Sequence, residues 1–154
     1  MPIATDIADA LAGGLTDATF SEPYDSITAT RLYVPDYDGP ALKTLKVSVV
    51  PGPVESERSS RGQDLFTHQV MVVVGKSVDG SNEQIDDLMT LCEEMIDAIR
   101  SGTLTTTGMP ENAKYFASTF LTTFDRDALN DRRIFLAQID VTYRVPRDHV
   151  TVAP

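Results

Sequence analysis

The chain has 154 residues, 42% hydrophobic and 23% charged, which is enough for one domain to bury a core without disulfides or a metal. Its single cysteine excludes an intramolecular disulfide framework and fits a reducing compartment. The net charge of −10, from 13 basic and 23 acidic residues, speaks against an open nucleic-acid binder, which neutralises phosphates with clustered Lys and Arg.

The first predicted element is a helix. Ile7, Ala8, Leu11 and Leu15 repeat at helical spacing, and Thr5 is placed to cap it with its hydroxyl. Gly13 and Gly14 weaken its end, so a short or frayed helix is expected. Phe20 to Ser26 reads as a linker, because Pro23 excludes a continued helix. Ser26 to Val34 reads as a strand on its β-branched and aromatic content, and the run from Pro35 to Pro40 as a turn. Leu42 to Val50 is the next strand, with Leu45, Val47 and Val49 alternating against Thr44, Lys46 and Ser48.

Pro51 to Gln63 reads as a long polar loop, rich in Ser, Gly and Pro and without periodicity. Leu65 to Val74 is the third strand. Its end, Val70 to Val74, is apolar on both faces, which predicts a central strand covered on both sides. After a turn at Asp79-Gly80, Ser81 and Gln84 have the form of a capping box. Ile85, Leu88, Met89, Cys92, Met95, Ile96 and Ile99 then form one apolar stripe, and Gly102 is a natural stop after Arg100. A fourth strand falls within Lys114 to Phe124, followed by a charged turn from Asp125 to Arg132. The last strand is Arg133 to Val145, where Phe135, Ala137, Ile139, Val141 and Tyr143 alternate with Gln138, Asp140, Thr142 and Arg144. Pro146 is expected to end it and residues 146–154 to form a loose tail.

The fold class is therefore α+β: a mostly antiparallel sheet of about five strands with two main helices packed on one face, in a single domain spanning 1–154. No stretch approaches the roughly 20 apolar residues of a membrane span. The N-terminus lacks a basic region before an apolar run, so a signal peptide is not expected and the protein starts out in the cytosol.

The search for chemistry yields no catalytic, metal or cofactor site, and the expectation is a non-enzyme. His68 and His149 are the only histidines, and neither has a Cys, His or acidic partner at metal-ligand spacing. Cys92 lies on the apolar stripe beside Glu93 and Glu94, which suits a small core side chain and not a thiolate. Asp125, Asp127 and Asp131 imitate a calcium loop only briefly. An EF-hand starting at Asp125 would need an oxygen ligand at Leu129, Gly at Asn130 and Glu at Leu136. Arg58 and Arg61 stand out, because two arginines in a polar segment of an acidic chain suit a clamp on a partner's carboxylate. The competing reading pairs them locally with Glu55 and Glu57, and all four are candidate protein-interface residues.

The order of features resembles the tail terminator proteins of long-tailed bacteriophages, also called tail completion or head–tail joining proteins. The residues that carry the resemblance are Ile7 to Leu11, Arg31 to Pro35, Leu42 to Pro51 with its Val-Val-Pro end, and Ser60-Arg61. To these are added Phe66 to Val74, Ile85 to Ile99 and Phe135 to Tyr143. The resemblance spans roughly positions 5 to 145 and implies a structural virion protein of the tail or neck, assembled in the host cytoplasm. It implies a homo-oligomer, a hexameric ring that caps the tail tube, stops its polymerisation and joins the tail to the head connector. The implied partners are the tail tube protein and a head-completion or connector protein, with DNA as passing cargo in the channel and no membrane. An acidic lining would keep phosphates from adhering there. Two rivals remain open: another neck component, such as a head-closure protein, and a small host enzyme or ligand-binding domain, which requires a pocket with convergent polar groups.

Overall fold

The structure, a computed structural model, describes residues 2–34, 41–79, 81–102, 104, 106–122 and 133–148. The predicted turns at 35–40 and 125–132, Gly80, the Asp125, Asp127 and Asp131 group and His149 lie outside them.

Helix α1 runs from Ile3 to Asp17 and buries Ile7, Leu11 and Leu15. Thr5 does not cap it. The cap position is Pro2, and Thr5 sits buried inside the first turns. Nor does the helix fray at its glycines. Its last turn is tied down by Thr16, whose hydroxyl donates to the Ala12 carbonyl (2.9 Å) and accepts from the Ala29 amide (3.0 Å). That second bond starts strand β1, Ala29–Arg31, which is much shorter than the segment read from the sequence. Arg31 returns to α1 through Asp9, at 2.5 Å.

A single turn of 3-10 helix, Ala41–Lys43, leads into β2, Lys46–Ser60. Strand β3 is Gln63–Ser77 and helix α2 is Asn82–Ser101. Strand β4 is Lys114–Thr122 and β5 is Ile134–Asp148. The sheet order is β1-β2-β3-β5-β4, with only β1–β2 parallel. The α+β class, the five strands and the two helices on one face agree with the sequence reading. The Val-rich run of β3 is the centre of the sheet, as its apolar faces require.

The main core lies between the helices and one face of the sheet. Leu11 and Leu15 of α1 and Leu88, Leu91, Cys92 and Met95 of α2 pack there with Val47, Val49, Val70, Val72, Ile139 and Val141. Helix α2 follows its signals closely. The Ser81 hydroxyl accepts from the Gln84 amide at 3.3 Å, and Gly102 closes the helix in the left-handed region at φ 72°. The reciprocal bond differs: the Gln84 side chain accepts from the Asp79 amide, while the Asp79 carboxylate takes the Ser81 amide.

Two expectations are overturned at the far end of the sheet. Pro51 to Gln63 is not a loop. Strand β2 continues to Ser60 and turns at Arg61-Gly62 directly into β3, with Glu55 opposite Thr67 and Glu57 opposite Leu65. The segment is polar because both its faces meet water, while β3 pairs the inward-facing half of its backbone groups. Gly52 and Pro53 are absorbed at a bulge, where a side chain on Gly52 would meet the Gln69 carbonyl at 3.0 Å.

Nor does Pro146 end β5. The strand runs on to Asp148, with Pro146 opposite Leu65 and Asp148 opposite Gln63. Proline is tolerated because its missing N–H would face the β4 side, and β4 reaches only as far as Arg144. The freed carbonyl accepts instead from the Asn112 amide group at 2.6 Å. Residues 149–154 of the predicted tail lie outside the described residues.

Candidate interaction surface

Strands β2, β3 and β5 are paired along nearly their whole lengths. A strand of 15 residues spans roughly 50 Å. The buried core residues of β2 end at Val50, and every residue from Pro53 to Ser60 is exposed. The outer half of β2 is therefore an exposed arm laid along β3, while β3 and β5 beside it stay half-buried to buried as far as Val145.

Glu55, Glu57, Arg58 and Arg61 all lie on this arm, and all are exposed. Side chains alternate along a strand, so Glu55 and Glu57 share the face away from the helices, and Arg58 points to the other. Arg61 occupies the turn. No ion pair among the described residues joins either arginine to either glutamate, and the alternation explains this for Arg58. The structure therefore brings together the two acids but not the arginine clamp.

The two acids share a cavity with a basic residue that sequence reasoning missed. Glu55, Ser56, Glu57, Thr67 and Arg144 line a shallow cavity of about 260 Å³. The guanidinium carbon of Arg144 lies 3.5 Å from the ring centre of Phe116, which is 52% exposed at a bulge of β4. The Arg144 Nε is buried with no hydrogen-bond partner among the described residues, as is Asp140 Oδ1 on the same face. Arg144 belonged to the polar set of β5, but nothing in the sequence gave its cross-strand neighbours.

On the core face of the sheet His68 is buried, and its ring stacks on Phe66 at 6.5 Å. Neither of its nitrogens has a partner among the described residues. Burial, and secondarily the Arg147 charge, hold its imidazole below the ordinary histidine value. Cys92 is buried in α2, and desolvation together with Glu93 pushes its thiol up to about 12. Among the described residues no three His, Cys, Asp or Glu side chains gather as a metal site.

Two larger cavities, each about 550 Å³, lie elsewhere. One runs beside Phe20, Glu94, Asp97 and Arg100, the other beside Thr28, Thr30, Thr44 and Lys46. Among the described residues that line them there is no histidine or cysteine. No helix among the described residues is long and apolar enough to cross a membrane. No protein-family model matches the chain, and a search of curated proteins finds no match.

Proposed function

We propose that this chain is a structural subunit of a bacteriophage tail, of the tail terminator kind. Identical copies form a ring, six by the resemblance, that caps the tail tube and receives the head connector. The observation that carries the assembly reading is the arm. An exposed outer half of β2 along the side of the sheet, with Val54 and Phe116 about half exposed, suits contact between subunits. A closed ring needs two different patches on each subunit, and this sheet offers two different edges, one on β2 and one on β4. The net charge of −10 per copy suits a channel through which DNA passes without adhering.

The test is the mass of the purified chain in solution, with electron micrographs of the same sample, alone and mixed with isolated tail tubes. Rings with a central hole, seated on tube ends, are the expected result. A chain that stays monomeric alone and leaves the tubes bare would overturn the proposal.

A further inference from the structure

The two edges of the sheet differ in a way that selects a partner. Strand β1 covers β2 only at Val47, Ser48 and Val49. Beyond Val50 no described strand lies outside β2, and none lies outside β4. The Leu32 amide donates to the Val49 carbonyl, so the backbone groups of Val49 point outward. Counting the alternation along the β2–β3 register, those of Val54, Ser56 and Arg58 also point outward. Pro51 falls in the same set, where its missing N–H costs no internal bond. The same count from β5 turns the backbone of Tyr115 and Ser118 outward on β4.

Strands β2 and β5 run one way, and β3 and β4 the other. A rotation about an axis along the strands leaves these directions unchanged. The β2 of one copy therefore meets the β4 of the next in antiparallel sense. Charge favours this pairing over the symmetric one. Two β2 arms paired about Ser56 would set Glu55 of each copy against Glu57 of the other. On β4 the corresponding face carries Lys114, exposed and without an ion-pair partner among the described residues. The face-matching register that sets Ser56 opposite Tyr115 places Glu57 opposite Lys114.

We infer that the outer edge of β2 around Val54–Arg58 is the docking surface for the β4 edge of a second copy. The two form an antiparallel ladder with Glu57 against Lys114. The inference rests on the ring reading above and names the interface that closes it.

The experiment uses the full chain and reads subunit mass and dissociation constant by sedimentation and light scattering. Circular dichroism reports the fold. Ser56→Pro and Ser118→Pro each remove one outward N–H and no internal ladder bond. Each is expected to turn assembled protein into folded monomer. Glu57→Lys and Lys114→Glu are each expected to raise the dissociation constant about fivefold to tenfold, and the double exchange to restore it. If the wild type assembles and all these variants assemble as it does, edge pairing is wrong while the ring reading stands. If the wild type does not assemble, alone or on tubes, both fail. Should a proline variant not fold, the charge exchange decides: loss in the singles with recovery in the double supports the interface, and any other pattern overturns it.

Discussion

Replacing His68 by leucine is expected to stabilise the fold and flatten its acid limb. His68 is 4% exposed, and its two ring nitrogens have no partner among the described residues. A buried polar group left unmet costs about 1–3 kcal/mol, and an apolar side chain of similar size removes that cost. The variant gains about this amount at neutral pH. The acid limb follows from linkage. The imidazole is held below its ordinary value in the fold, so the unfolded chain takes up the proton first. Above about pH 6.5 both states are neutral and this residue adds no pH dependence. As the pH falls below that value the wild type loses stability, until the folded imidazole also protonates. The slope approaches about 1.4 kcal/mol per pH unit. The leucine variant lacks this slope. Urea unfolding of both proteins across about pH 7.5 to 5 gives the contribution as a difference, with the groups common to both chains cancelling. A difference that stays flat across that range, or a wild type more stable than the variant, would refute the reasoning, because the imidazole would then be charged or well bonded in the fold.

The remaining predictions concern the helices. Leu11→Ala removes a fully buried side chain of α1 and is expected to cost about 2–5 kcal/mol in denaturant unfolding; less than about 1 would mean that α1 does not pack as described. Gly13 is exposed inside α1 with nothing within 4 Å of an added Cβ, so Gly13→Ala is expected to gain about 0.5–1 kcal/mol. Gly102 sits at φ +72°, so Gly102→Ala is expected to lose about 1 kcal/mol. Thermal melts with opposite signs for this pair check both. Cys92, with its thiol pushed up to about 12, is expected to resist iodoacetamide at pH 8 in the native chain and to react fully in denaturant. Rapid native labelling would contradict its burial.

The elements that were legible in the sequence are those whose pattern and burial have one cause. In α2 the apolar stripe, the Ser81 cap and the Gly102 stop each follow from local chemistry. In β5 the alternation from Phe135 to Tyr143 matches one buried face and one half-buried face. The arm was not legible, because its composition reports contact with water and not the state of its backbone. Ser, Gly and charged residues in 51–63 say loop when a segment is alone, but a partner strand on one side pairs its inward-facing backbone groups and holds it extended. Pro146 misled for a related reason: whether a proline ends a strand depends on which neighbour its nitrogen faces. The Arg144–Phe116 contact depends on the register of β4 against β5, with a bulge at Phe116, and no spacing along the chain encodes it.

The place of β3 has a consequence for the order in which the chain folds. One of its neighbours, β2, lies across a tight turn, and such hairpins close in about microseconds. Its other neighbour, β5, comes only after α2 and β4 in the chain, and Val72 must wait for Ile139. Long-range pairing of this kind is slow, because the intervening chain has to be gathered first. During that interval the edge carrying Val70, Met71, Val72, Val73 and Val74 is bare, uncharged and free of proline, a combination that recruits other chains. A chain truncated before Ile134 would be prone to aggregate, and β5 serves as the intramolecular guard of the strand at the sheet's centre.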